Sequence, residues 1–290
     1  MPNRTEPDHI KPDRIDALPP LRDVIRDYGL DAKKSLGQNF LFDLNLTGRI
    51  ARAAMPLDGT VIEIGPGPGG LTRALLMAGA EQVIAIEKDR RAIEALGSLV
   101  VAAEGRLQII EADALEVDIK SLGPAGGKKQ IVANLPYNIA TGLLLNWLDD
   151  ADHLDGLTLM FQREVGQRIT AEPGTSAYGR LAVMAQWLCD VRSLFDIPPQ
   201  AFVPPPKVTS SVVQLIPRPA PLAPADKTRL EDVTRALFGQ RRKMLRSSIK
   251  TLKTEGLLEG LSLTGNERPE TLAVEDFCAI AEALRRARQG

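Results

Sequence analysis

Cysteine and histidine are scarce in this chain of 290 residues, with two of each. Cys189 and Cys278 stand far apart in apolar stretches that pattern as helix, so neither a disulfide framework nor a cysteine-ligated metal centre is expected. His9 and His153 are isolated from other Cys, His or carboxylate residues at ligand spacing, and no metal is assigned. Long apolar runs are missing too: nothing approaches the roughly 18 residues that a membrane span requires. The opening MPNRTEPDHIKPDRIDALPP is charged and proline-rich, unlike a secretory signal. A reducing, cytoplasmic setting without a membrane partner is therefore expected. Excess charge of either sign is also lacking, since 36 Lys and Arg face 37 Asp and Glu. Any surface for a polyanion must then be a local patch.

What is present is a chain able to bury a substantial core, 44% hydrophobic and 25% charged. After a polar tail over 1–20, PLRDVIRDYGL patterns as a short amphipathic helix and KKSLGQNFL as a loop. From there, apolar strand runs alternate with helical periodicity: helix LNLTGRIARAAM, strand TVIEIG, helix LTRALLMAG, strand QVIAIEKD, helix RRAIEALGSLVVAAE, strands LQIIEAD and QIVANLPY, helix ATGLLLNWLDD, strand LTLMFQ and helix REVGQRITA. That alternation predicts a doubly wound α/β domain with a parallel sheet covered on both faces. The helix RLAVMAQWLCD follows, with Met184 and Trp187 assigned to the core. Then FDIPPQAFVPPPKVTSSVVQLIP reads as two late antiparallel edge strands around a proline-rich loop. PRPAPLAPAD has linker composition, and beyond it the pattern is helical without strands. The predicted organisation is a domain over 21–219 and a smaller all-α domain over 220–290.

The first chemical signal is Glu63-Ile64-Gly65-Pro66-Gly67-Pro68-Gly69-Gly70-Leu71-Thr72, which follows a strand and opens a helix. Glycines there let the backbone approach a cofactor closely. Gly65, Gly67 and Gly70 also satisfy G-x-G-x-x-G, so a dinucleotide remains a competitor at this point. Glu87 ends the next strand roughly 20 residues on, where a carboxylate can accept from both ribose hydroxyls of either cofactor. Asp113 ends the third strand, positioned to accept from an adenine amine, and Asn134 ends the fourth. Taken singly, Glu87 or Asp113 also reads as a capping or solvated acid.

Asn134-Leu135-Pro136-Tyr137 points to a reaction. The lone pair of an exocyclic aromatic amine is delocalised into its ring, so methylation requires the amine hydrogens to be held by acceptors. The Asn134 side-chain oxygen and the Leu135 carbonyl are adjacent acceptors, Pro136 fixes its backbone and removes an N–H, and Tyr137 can stack on a base. With the electrophile supplied by a sulfonium cofactor, neither a metal nor a strong base is needed.

Together these strings resemble the KsgA/RsmA family of ribosomal RNA adenine N6,N6-dimethyltransferases over nearly all of the chain from about residue 21. Leu36-Gly37-Gln38-Asn39-Phe40-Leu41 is similar to the family's first motif, EIGPGPGGLT to its cofactor loop, NLPYNI to its catalytic motif and Phe202-Val203-Pro204-Pro205-Pro206-Lys207-Val208 to its late loop. The resemblance implies a Rossmann-like methyltransferase sheet and an S-adenosylmethionine site lined by Asn39, Leu41, Gly65, Gly67, Glu87, Asp113 and Asn134. It implies a catalytic centre on Asn134, Leu135, Pro136 and Tyr137, with Phe202 as the other wall of an aromatic slot for a flipped adenine. The implied substrate is two adjacent adenosines in the terminal hairpin loop of small-subunit (16S) ribosomal RNA within the immature 30S subunit, met by a monomeric enzyme.

The segments FQREVGQRI, SAYGRLAVMAQ and FGQRRKMLRSSIK resemble this family rather than the neighbouring one that methylates large-subunit RNA. In the last, Arg241, Arg242, Lys243 and Arg246, with Lys250 and Lys253, are read as one helical stretch offering a phosphate-binding face, a solvated helix face being the alternative. Arg163 and Arg168 face RNA or solvent. Two other classes stay open: an NAD-dependent oxidoreductase, and a binding protein of methyltransferase descent with little turnover.

Overall fold

A computed structural model describes residues 15–30 and 39–289. The expected tail is therefore described only from residue 15, and His9 and the Leu36-Gly37-Gln38 part of the first motif lie outside the described residues. The chain divides into two compact units, one running to Asn134 and including Ala201–Pro205, the other formed by Leu135–Gln200 and the chain from Pro206 onward. Among the described residues the strands are β1 (Phe40–Leu41), β2 (Thr60–Ile64), β3 (Gln82–Glu87), β4 (Leu107–Glu111), β5 (Lys129–Asn134), β6 (Gly156–Gln162), β7 (Cys189–Ile197), β8 (Phe202–Val203) and β9 (Ser210–Pro217).

In the first unit, β4, β3, β2 and β5 lie side by side in that order, all parallel. Every residue of β2 is buried, as are the last five of β3, which is why TVIEI and VIAIE are nearly continuous apolar runs. β4 is half-exposed and correspondingly more polar. Helices connect the strands. Leu44–Ala53 starts where the Asp43 carboxylate accepts the Asn45 N–H at 2.8 Å, and Arg90–Ala95 starts where Asp89 accepts that of Arg91 at 3.2 Å. The long helix expected over RRAIEALGSLVVAAE is divided at Leu96 into Arg90–Ala95 and Gly97–Ala102. The N-terminal helix forms over Leu21–Asp27, and Val24 and Leu30 pack against Ala92 and Ala95. Arginines tie this segment down at both ends: Arg73 donates to the Pro19 carbonyl and Arg91 to that of Gly29, each at 2.7 Å.

In the second unit, β9 lies between β6 and β7, antiparallel to both, with an irregularity at Ser193–Phe195. Cys189 opens β7 instead of ending a helix, because the preceding helix stops at Leu188. Strands end at Pro217, just before the boundary expected from composition, but helical packing does not respect that boundary. Tyr178, Val183 and Trp187 share one apolar core with Leu230, Leu237, Phe277 and Leu284. Phe238 stacks on Phe277 with centroids 5.2 Å apart and meets Tyr178 edge-on. The basic segment is not a single helix: Lys227–Phe238 ends, a turn carries residues 239–243, and Leu245–Ser248 and the 3-10 turn Ile249–Leu252 follow. Among the described residues, no helix is long and apolar enough to cross a membrane.

Phe277 is fully buried at the centre of this core. Phe277→Ala is expected to cost about 3–5 kcal/mol through lost contacts and a residual cavity. Urea unfolding checks this, and a loss below about 1 kcal/mol contradicts the described packing.

Candidate active site

Strand ends of the first unit carry the polar residues singled out above. β2 runs into the glycine loop, where Gly65, Gly67 and Gly69 take φ of 66°, 54° and 87°. The left-handed residue before the helix is thus Gly69, while Gly70 is the helix's first residue. A side chain at Gly67 would meet the Phe40 ring at 2.7 Å, and one at Gly69 would meet Leu96 at 2.7 Å. Around the Cβ position of Gly65 nothing lies within 4 Å, so a ligand can reach the backbone there.

Three carboxylates converge on this end of the sheet. Glu87, 7% exposed, closes β3 and accepts the Gly67 N–H at 3.2 Å through Oε2 and those of Lys88 and Asp89 at 2.8 and 2.9 Å through Oε1. With about four acceptor positions, the group retains capacity for a ligand hydroxyl. Asp113 accepts the Leu115 N–H at 3.1 Å and lies 3.2 Å from the Lys88 ammonium; the amide first, and then the lysine, hold its pKa below the usual carboxylate range. Glu63, 1% exposed within β2, has one oxygen buried without a hydrogen-bond partner among the described residues. Burial pushes its pKa up to about 8, the nearby Thr72 hydroxyl opposing the shift and the Glu87 charge adding to it.

Asn134 ends β5, and its Nδ2 donates to the Asn39 carbonyl at 3.0 Å. Only the nitrogen of an amide can face a carbonyl oxygen, so Oδ1 is left as the acceptor on the other side. Asn39 leads directly into β1, which pairs antiparallel with β8 through Phe40↔Val203 and Leu41↔Phe202. Through this short ribbon, Phe40 covers Gly67 and the Leu41 carbonyl sits where a side chain at Gly70 would fall, at 2.7 Å. Of the residues expected around the cofactor, the structure joins Asn39 to Asn134 and Glu87 to Gly67 by hydrogen bonds, sets Leu41 against the same loop, and leaves Asp113 in the turn beyond β4. Phe202, expected as an aromatic wall, is 1% exposed and pairs with Leu41 in the β1–β8 ribbon.

Leu135, Pro136 and Tyr137 open the second unit. Pro136 caps the helix Tyr137–Asp149, and the Tyr137 hydroxyl lies 2.6 Å from Ser210 Oγ. Burial raises the Tyr137 phenol above its ordinary pKa. Sequence reasoning missed both Ser210 and the isolation of Glu63. The available signal was a pair of serines in an apolar strand and an acid inside an apolar run.

Basic side chains gather in two clefts of the second unit. One, of about 840 Å³, is lined by Arg246, Lys250 and Lys253 together with the acids Glu255 and Glu259 and the apolar Ile249 and Leu257. The other, of about 530 Å³, takes Arg168, Arg180 and Arg241. Arg241 is tied to the Glu270 carboxylate at 3.0 Å and to the Ser176 carbonyl at 3.1 Å, whereas Arg242, Lys243 and Arg246 are exposed. Arg163 pairs with Asp196 at 3.2 Å. Among the described residues no cluster of three His, Cys, Asp or Glu is arranged to hold a metal ion.

Fold and strand-end chemistry together define a Rossmann-like methyltransferase. The dimethyladenosine transferase of Plasmodium falciparum superposes with a TM-score of 0.75 at 25% identity, over 86% of this chain and 98% of that one. The 23S rRNA methyltransferase ErmE superposes with a TM-score of 0.66 at 26% identity, over 85% and 100%. Curated relatives named ribosomal RNA small subunit methyltransferase A are 59% identical in Rhodospirillum rubrum, covering 93% of each chain, and 61% identical in Paramagnetospirillum magneticum, covering 92% of this chain and 95% of that relative. The ribosomal RNA adenine dimethylase family matches residues 29–286, and the chain belongs to it.

Glu63 yields a pH prediction. Its pKa rises from 4.5 to about 8 on folding, so the native state binds the proton more tightly. Its stabilising contribution is complete below the unfolded value and declines as the pH climbs to and through the folded one. Glu63→Gln is expected to flatten this part of the stability profile, read from urea midpoints between about pH 5 and about pH 9. Parallel profiles for the two proteins contradict the assignment.

Proposed function

We propose that this chain transfers methyl groups from S-adenosylmethionine to N6 of two adjacent adenosines in the 3′-terminal hairpin loop of small-subunit (16S) ribosomal RNA, giving N6,N6-dimethyladenosine. We place this step in the cytoplasm, on the immature small subunit, with the enzyme acting as a monomer. The observation that carries the chemistry is the fixed amide of Asn134. With Nδ2 engaged by Asn39, Oδ1 can take one hydrogen of the target amine while the adjacent Leu135 carbonyl takes the other, which brings the nitrogen lone pair out of conjugation. Tyr137 offers a ring for stacking. A second methylation meets an amine with one hydrogen left, and one of the two acceptors suffices to hold it.

The residues of the first unit suit a cationic cofactor. S-adenosylmethionine, when bound, supplies the activated methyl group. Gly65 leaves the space for close approach, Glu87 and Asp113 offer acceptors to ribose hydroxyls and an adenine amine, and the unpartnered Glu63 oxygen is buried beside the loop. A dinucleotide fits less well. Its pyrophosphate needs donors in the glycine loop, yet the Gly67 N–H is already given to the Glu87 carboxylate, and the carboxylates of Glu87 and Asp113 would repel it. For the RNA, the exposed Arg242, Lys243, Arg246, Lys250 and Lys253 supply the local patch that net charge conceals.

Asn134→Asp tests the site with almost no change in size. It turns an oxygen toward the Asn39 carbonyl and is expected to lower methyl transfer to unmethylated small subunits by about 100-fold or more. Retention of most activity overturns the role given to Asn134. Replacing Arg242 and Lys243 by alanine is expected to raise KM for the subunit, leave kcat nearly unchanged and reduce the salt dependence of binding by about one unit of slope per lost phosphate contact. An unchanged salt slope contradicts phosphate contact there.

A further inference from the structure

We propose that Ser210 is a positioning residue for methyl transfer, holding the ring of Tyr137 in one orientation through the phenol. This rests on the reading of Tyr137 as the base-stacking residue. Tyr137 is the first residue of its helix, so its backbone is fixed, but rotation about the side-chain bonds still decides which way the ring faces. The 2.6 Å contact between its hydroxyl and Ser210 Oγ restrains that freedom at the far end of the ring.

Ser210 is itself immobilised. It is fully buried as the first residue of β9, paired with Gln162 on one side and Ile197 on the other. The residues flanking it are locked as well. The Arg163 N–H donates to the Thr209 carbonyl at 2.9 Å, the Ser211 hydroxyl bonds to the Asp196 carboxylate, and Asp196 pairs with Arg163 at 3.2 Å. An apolar strand would gain more from alanine or valine than from a serine at such a position, unless the hydroxyl has a partner. Here the partner is Tyr137. Burial keeps the phenol protonated well above neutrality, so the contact persists throughout the working pH range.

The decisive experiment is a double-mutant cycle on Ser210→Ala and Tyr137→Phe, each of which removes the bond and leaves the ring. Each single variant is expected to lose about tenfold in kcat with unchanged S-adenosylmethionine binding and only a small loss of melting temperature, and the double variant to be no worse in kcat than either. Ring-labelled tyrosine NMR gives a second reading that does not depend on turnover. With three tyrosines in the chain, the Tyr137 signal is expected to change from a restrained to an averaged ring in Ser210→Ala. Multiplying losses of about 100-fold in the double variant, or an unaffected Tyr137→Phe beside an impaired Ser210→Ala, overturn the positioning role alone. A wild-type protein that transfers no methyl group overturns the stacking assignment and this role with it.

Discussion

The Asn134 amide faces a backbone carbonyl, and that one contact fixes what the strand end can do. Because Nδ2 is the only part of the side chain able to donate to Asn39, the remaining oxygen has a determined direction and must act as an acceptor. The partner is supplied by the residue that enters β1, so the same short ribbon both orients Asn134 and lies across the glycine loop. Phe40 fills the space beside Gly67, and the Leu41 carbonyl approaches Gly70 closely enough to exclude any side chain. The described part of the first motif, Asn39 to Leu41, is therefore linked by contact to the glycine loop and to Asn134, although roughly 95 residues separate Asn39 from Asn134.

Charge complements this geometry. Glu87, Asp113 and Glu63 occupy neighbouring positions at one end of a parallel sheet, and each is treated differently by its surroundings. Glu87 is held by three backbone amides, Asp113 by an amide and a lysine, and Glu63, with one oxygen buried without a hydrogen-bond partner among the described residues, is pushed toward the neutral form. Such an end of a sheet suits a cation with hydroxyls and an amine. It opposes a diphosphate.

Much of this was legible in the sequence because it depends on local pattern. Continuous apolar runs mark β2 and β3, and Glu87 and Asn134 stand at the ends of β3 and β5 as the local pattern places them. Other features depend on what the chain meets at a distance. Cys189 is apolar enough for a helix and belongs to β7 because β9 pairs with it. The basic run around Arg241 has helical composition, yet Arg241 is bound to Glu270 and Ser176, and the chain turns there. Composition near Pro219 marks where strands cease, while the core of the C-terminal helices reaches back to Tyr178. Phe202 reads as one wall of an aromatic slot, and its pairing with Leu41 depends on a segment about 160 residues away that local pattern does not reveal. Ser210 has no sequence signature beyond polarity in an apolar strand, since its meaning lies in a tyrosine 73 residues away.

If the fixed amide governs the chemistry, methylation must fall on one atom of the base. Chromatographically resolved mass spectrometry of nucleosides, from unmethylated small-subunit RNA incubated as subunits with the protein and labelled S-adenosylmethionine, measures this directly. Label in N6,N6-dimethyladenosine is the predicted result. Label confined to a ring nitrogen or a ribose hydroxyl, with none at N6, contradicts it.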